Sequence, residues 1–338
     1  LDFTLYTSFP DDLETEWNSL LDESVTHVPF LRHEYLHTWW QTRGGGEWPA
    51  AQLAVITARR AGHLVGIAPF FIADHQGQPK LLLLGCIEVS DYLDLLVRPA
   101  DLESFISELL AYLKTTPLPH WNTLDLYNLQ DQSPTLPALE QTAAAQGWTY
   151  SSQKLEHSPY ISLPGDWETY LAGIDKKQRH EIRRKMRRAE EMGVPLRWYI
   201  VEDAAKLDEE IDAFMTLMAN DAEKAAFLTS PMREHMHLTA RCAFERGCLQ
   251  LAFLEIGGQK AAAYINFDYL NRLWIYNSGL DPRFTEYSPG WVLLGYLLQW
   301  ANENKRIEFD FMRGDEEYKY RFGAVDRFVM RATLTPGK

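Results

Sequence analysis

The segment with the clearest chemical potential is the loop Gly279-Leu280-Asp281-Pro282-Arg283-Phe284-Thr285-Glu286-Tyr287-Ser288-Pro289-Gly290. It ends in Ser-Pro-Gly where an apolar helical pattern begins. Proline suits the first helical position, because its missing N–H would have no partner there. Gly290 leaves the helix mouth without a side chain. The first N–H groups and the positive end of the helix dipole are then open to an anion such as a phosphate. A plain helix cap is the competing reading. The matching place in the front half reads Val97-Arg98-Pro99-Ala100-Asp101, without glycine. If one half alone holds a phosphorylated molecule, the rear half is the one expected to do so.

The elements that would position this loop follow from periodicity. In the front half the pattern predicts helices over 11–21, 32–40, 101–114 and 138–146, with strands over 52–58, 64–73, 80–86, 92–97 and 121–128. In the rear half it predicts a strand over 196–201 and helices over 204–219 and 232–246. Strands over 249–256, 260–269 and 272–278 follow, then a helix over 288–304 and a strand over 307–311. Each half therefore runs through helices, a three-strand meander, a proline-broken loop, a helix and a strand. The expected fold class is α/β in the mixed α+β sense: two related units, 1–155 and 156–338, each a mixed sheet flanked by helices. The boundary is expected at the polar stretch Ser151–His157. A single mixed domain is the alternative.

Composition narrows the function classes. Of the 338 residues, 46% are hydrophobic and 24% charged, which excludes a chain too polar to form a core. The 33 basic and 47 acidic residues leave a net charge of −14, the wrong sign for a general nucleic-acid binder. Cys86, Cys242 and Cys248 show no CxxC spacing, so a reducing, cytoplasmic location is expected and no zinc finger. The longest apolar runs, 81–87 and 291–298, are too short to span a bilayer, and no signal-peptide pattern opens the sequence at Leu1. Walker, G-x-G-x-x-G and G-x-S-x-G motifs do not occur.

The segment 273–300, followed by Phe309-Asp310-Phe311-Met312-Arg313-Gly314-Asp315-Glu316-Glu317-Tyr318-Lys319-Tyr320-Arg321-Phe322-Gly323, resembles the GNAT acyltransferase superfamily. The resemblance is to its FemAB-like tandem-GNAT branch, nearest to the cellulose-biosynthesis-type acetyltransferases. Pro29-Phe30 with Trp39-Trp40, Ser90-Asp91-Tyr92-Leu93-Asp94, Lys224 with Phe227-Leu228, and Ser288-Pro289-Gly290 fit the same pattern. The resemblance implies acyl transfer from a thioester, usually acyl-CoA such as acetyl-CoA, to an amine on a small molecule, saccharide or peptide. It implies no metal, and it places the pyrophosphate seat at Tyr287, Ser288, Pro289, Gly290 and Trp291. An aminoacyl-tRNA-dependent transferase and a catalytically inactive binding protein on the same fold are the alternatives. The sequence departs from many relatives at Leu217-Met218, where they carry Leu-His, and a histidine base is absent there.

Amine attack on a thioester requires a proton acceptor, a donor for the tetrahedral oxyanion and a donor for the leaving sulfur. On this resemblance Asp310, at a strand end, is expected to orient the substrate or accept the proton; a loop-capping carboxylate is the plainer reading. Tyr318 is expected to donate to the sulfur, and a core tyrosine is its alternative. Lys224 joins the expected catalytic set, against a surface ion pair with Asp221 or Glu223. Arg313 and Lys319 are expected to hold an anionic group of the substrate. Asp91 and Tyr92 are expected to line a cleft between the halves, with at most one facing it if they alternate on a strand.

Two further signals stand apart. His33-Glu34-Tyr35-Leu36-His37 matches HExxH, but Trp40 and Arg43 stand where the extended metalloprotease motif has glycine and histidine. No metal is therefore expected. The run 176–188 carries Lys176, Lys177, Arg179, Arg183, Arg184, Lys185, Arg187 and Arg188 against one acid, Glu181. Asp175 with Gln178 makes a capping-box-like start, and Leu171, Ile174, Ile182, Met186 and Ala189 form a narrow apolar stripe. Three readings stay open: the helix offsets the acidic body, attracts an anionic carrier such as CoA or acyl carrier protein, or holds tRNA. No aromatic residues interleave, so base stacking finds no support.

Overall fold

The computed structural model describes residues 1–337, and the chain divides into two compact units. The first comprises Leu1–Glu156 and a closing segment from Phe328; the second is His157–Arg327.

The first unit is built on an eight-stranded sheet. Its strands up to the boundary are β1 (Asp2–Tyr6), β2 (Gln52–Arg60), β3 (His63–His75), β4 (Gln78–Leu83), β5 (Leu96–Val97), β6 (Thr123–Gln130) and β7 (Trp148–His157). Its helices are α1 (Glu14–Leu21), α2 (His33–Gly46), α3 (Leu102–Leu113) and α4 (Thr135–Gln146). β3 lies inside the sheet and is apolar over most of its length, from Leu64 to Ala73, as a strand covered on both faces must be. α3 buries Leu102, Phe105, Ile106, Leu109, Leu110 and Leu113 at helical spacing. His33 of the HExxH segment is buried between Phe9 and Trp17, with Nε2 3.0 Å from the Pro10 carbonyl.

The second unit has a six-stranded sheet in the order β8-β13-β12-β11-β10-β9. These are β8 (Tyr160–Ser162), β9 (Leu196–Ile200), β10 (Leu249–Ile256), β11 (Gln259–Tyr269), β12 (Arg272–Leu280) and β13 (Glu308–Asp310). Helices α5 (Trp167–Gly173), α6 (Lys176–Glu190), α7 (Leu207–Met218), α8 (Ala222–Phe227), α9 (Ser230–Glu245), α10 (Pro289–Glu303) and α11 (Glu317–Arg321) surround it. β9 to β12 form an antiparallel meander, and α10 makes the crossover to β13, which pairs parallel with β12. On one face, Leu171 of α5, Ile182 and Met186 of α6 and Leu293, Leu297 and Leu298 of α10 pack on Leu254, Ala262, Leu273 and Ile275. Burying each such leucine or isoleucine is worth about 1.5–3 kcal/mol. Phe253, between two strand residues of that core, belongs to the other face; α7 and α9 pack on β10, β11 and β12.

The last strand, β14 (Phe328–Pro336), lies in the first sheet between β6 and β7. This corrects the expectation that everything after residue 155 belongs to the rear unit. The polar stretch 151–157 is also part of a strand, β7, whose residues past Trp148 are exposed or half-buried; that exposure explains its loop-like composition. The strand expected over 92–97 is reduced to Leu96–Val97.

Candidate active site

The site is organised by a splay in the second sheet. β12 pairs with β13 only through Arg272, Leu273 and Trp274, opposite Glu308, Phe309 and Asp310. From Ile275 to Leu280 it continues along β11 alone. The register with β11 slips at Ile265/Asn266, leaving Tyr276 as an extra residue in β12, a bulge that re-aims the strand. Ser278 then turns both of its main-chain groups toward the open edge. Its N–H donates to Asn277 Oδ1 (2.8 Å), and its carbonyl accepts from Lys224 Nζ (2.7 Å).

α10 opens beside this edge. Ser288 takes a left-handed conformation (φ 53°) as N-cap, Pro289 is the first helical residue, and no side chain caps the turn. Its N–H donates to Thr285 and its carbonyl accepts from Val292, both at 3.0 Å, which hold the unusual backbone in place. A Cβ on Gly290 would lie 2.8 Å from Leu280 Cδ2, so glycine lets the mouth sit close against the end of β12. Tyr264 of β11 reaches the Gly290 carbonyl at 3.5 Å. Lys185 of α6 places its ammonium 4.1 Å from the Trp291 ring centroid, in the first turn of α10, and 3.7 Å from the Glu181 carboxylate; burial lowers its pKa and Glu181 opposes that shift. Tyr287, Ser288, Pro289, Gly290 and Trp291 are thus one structural feature, an uncapped helix mouth with a lysine beside its first turn.

On the α7 side of the splay lies a cavity of about 270 Å³, bounded among others by Met218, Asn220, Lys224, Ser278 and Leu280. A Cβ on Gly279 would come within 2.7 Å of Leu217 C, so only glycine allows the end of α7 to close the cavity backbone against strand. Met218 is buried and forms part of that wall. Burial lowers the Lys224 pKa, with Asp221 and Glu316 acting in the opposite sense.

The turn after β13 supplies the remaining groups, and here two expectations need correction. Asp310 is fully buried. One oxygen accepts from the Met312 N–H (2.7 Å), and the other is ion-paired with Arg327, which also reaches Glu308 at 3.3 Å. A carboxylate so committed holds the strand end, and its complete burial keeps it from a substrate amine. Lys319 is also buried. Its ammonium is shared among the carbonyls of Met312 (3.5 Å), Arg313 (2.7 Å) and Gly314 (3.0 Å) and the Glu316 carboxylate (2.8 Å). It clamps the turn from inside. Arg313, half-buried, contributes its carbonyl to that clamp. Asp91 and Tyr92 are both buried within the first unit and lie on no strand, so the alternation argument does not apply to them.

Tyr318 is half-buried against the core of the second unit. It packs edge-on to Phe311 at 6.1 Å, and burial, then the Glu316 charge, raises its pKa, so it keeps its proton at neutral pH. Glu316 was not anticipated. Its side chain is 57% exposed, and its carboxylate lies over Gly314, where a Cβ would meet Oε2 at 2.5 Å. Gly314 also has φ 106°, a conformation natural to glycine. The Glu316 charge acts on Lys224, Tyr264 and Tyr318. In the sequence it is one of three consecutive acids, Asp315-Glu316-Glu317, and nothing there distinguishes it from its neighbours.

Residues 176–320 match the acetyltransferase (GNAT) domain family. No curated protein sequence matches the chain. Among solved structures, FemX aligns at a TM-score of 0.65 and 10% identity over 97% of both chains. A conserved protein of unknown function from Bacteroides thetaiotaomicron aligns at 0.64 and 12%, over 99% of this chain and 100% of that one. L-PGS from Bacillus licheniformis aligns at 0.57 and 13%, over 97% and 92%. Among the described residues no helix is long and apolar enough to cross a membrane. The chain thus carries a GNAT acetyltransferase domain over residues 176–320, within the fold of two helix-flanked mixed sheets that it shares with FemX.

Proposed function

We propose that the second unit transfers an acyl group from an acyl-CoA, acetyl-CoA in the simplest case, to an amine acceptor. The observation that carries this reading is the splay of β12 from β13, with an uncapped helix mouth on one side and a lysine-bearing cavity on the other. The carrier's diphosphate binds the first N–H groups of α10 with Lys185 nearby. The thioester enters the splay, where its carbonyl oxygen takes the Ser278 N–H from Asn277 as charge develops. Glu316, half-open to solvent and held by Lys319, accepts the proton of the attacking amine. Tyr318, protonated at neutral pH, donates to the leaving sulfur. Asp310 and Lys319 position the turn that carries Glu316.

Calorimetry with acetyl-CoA and longer acyl-CoAs tests the reading. Binding that weakens when Gly290 is replaced by leucine supports it, and no heat at millimolar ligand overturns it. An aminoacyl-tRNA donor is the second reading, favoured by the exposed Lys176, Lys177 and Arg188 of α6. It requires tRNA binding that falls steeply with salt and is lost when those three are neutralised.

A further inference from the structure

Lys224 is the one lysine lining the cavity, and this reaction assigns it no step. Its ammonium bonds to a main-chain carbonyl at 2.7 Å and to the Ser278 hydroxyl at 3.4 Å. Among the described residues no ion pair includes it, because the nearby acids are engaged elsewhere. Asp221 caps the N–H groups of Glu223 and Lys224 itself, both at 3.0 Å, and Glu316 is bound to Lys319. Burial favours its neutral form, the form in which a lysine amine is a nucleophile. Its bonding partner, Ser278, is the residue whose N–H faces the splay.

We propose that, when no acceptor occupies the cavity, Lys224 takes the acyl group itself and is converted to an Nε-acyl-lysine. The inference rests on the acyl-CoA reading above. The neutral amine attacks the thioester carbonyl carbon, and a C–N bond forms as the C–S bond breaks. The electron pair leaves on sulfur. The proton released by nitrogen passes to Glu316 and on to solvent, and the sulfur takes a proton from Tyr318, which solvent restores, so CoA departs as the free thiol. The product is an amide, which does not hydrolyse at a useful rate. The cavity of about 270 Å³ then loses its only lysine charge and some of its space, so the modified chain is closed to acceptors. Acylation of Lys224 is in this sense a self-limiting step.

The full chain is incubated with acetyl-CoA and no added amine, and acetylation is followed by peptide mass spectrometry. The exposed Lys176 and Lys177 serve as internal controls, and calorimetry records acetyl-CoA binding in parallel. Lys224 is expected to acquire one acetyl group at least roughly tenfold faster than either control. The Gly290→Leu variant, with its carrier seat blocked, should slow Lys224 to the control rate. If acetyl-CoA binds and Lys224 reacts no faster than Lys176, the proposal is overturned while the acyl-CoA reading stands. If acetyl-CoA does not bind, both fall. If Gly290→Leu abolishes binding and Lys224 still reacts quickly, the lysine is merely reactive and the proposal is again overturned.

Discussion

Replacing Asp310 by asparagine separates two jobs that a strand-end carboxylate can have in this fold. Asp310 is fully buried, and its partner Arg327 is 8% exposed on its side chain. Removing one charge of a buried pair typically costs about 3–5 kcal/mol, because the other charge is left uncompensated. Two features place this case at the lower end. Glu308 remains 3.3 Å from the guanidinium, and the asparagine oxygen can still accept from the Met312 N–H. The expected loss is about 3 kcal/mol, or roughly 6–12 °C in melting temperature for a unit of this size. Acetyl-CoA affinity at a temperature where the variant is folded should be nearly unchanged, since Asp310 is fully buried and engaged by Arg327 and Met312. The assay is thermal unfolding followed by circular dichroism, with calorimetry and thiol release on the same samples. A variant that melts within about a degree of wild type but releases thiol a hundredfold more slowly would refute the argument. It would restore Asp310 as the proton acceptor.

Other outcomes follow from the same geometry. Glu316→Gln should leave acetyl-CoA binding within about twofold and reduce turnover on an amine by roughly 10²–10⁴, as for loss of a general base; an unchanged rate assigns the proton elsewhere. Gly279→Ala sets a new methyl against the main chain of Leu217, where no side-chain rotation can relieve it. Denaturant unfolding should register a loss near 3 kcal/mol, and a change below about 0.5 would show the contact to be soft. Gly290→Ala meets only the mobile end of the 44%-exposed Leu280. Its stability should therefore change by less than about 1 kcal/mol while acetyl-CoA binds more weakly; equal affinity would move the diphosphate away from this mouth. His235, buried in α9, is pushed down to about 4 by burial alone. Between pH 6.5 and 4 the unfolded chain binds the extra proton, so stability rises with pH across that window. A loss on the order of 3 kcal/mol on acidification is expected, and His235→Leu should flatten that part of the stability–pH curve.

Much of the second unit was legible because its elements are local and strongly patterned. The basic helix expected over 176–188 runs from Lys176 to Glu190, capped by Asp175 as its spacing implied. The apolar run after Pro289 is α10. The roles of single polar residues were not legible in the same way. Asp310 was placed correctly at a strand end, but its partner is Arg327, beyond a turn and a helix, and no local pattern joins them. Lys319 sits among exposed charges in the sequence, and only the folded turn shows that its ammonium points inward at three carbonyls. Glu316 differs from its acidic neighbours through the position of Gly314 and Lys319, a three-dimensional property. β14 was missed because its half-buried alternation is weak and its sheet partners, β6 and β7, are more than 170 residues earlier in the chain.

The placement of β14 has a consequence for biosynthesis. An interior member of the N-terminal sheet is made more than 170 residues after its partners. Until β14 has emerged, β6 and β7 each present a bare hydrogen-bonding edge, and the GNAT-matching unit must emerge before that gap is filled. Nascent chains stalled or truncated near residue 157 should therefore be prone to strand exchange and dependent on chaperones, even though every helix of the N-terminal unit is already made.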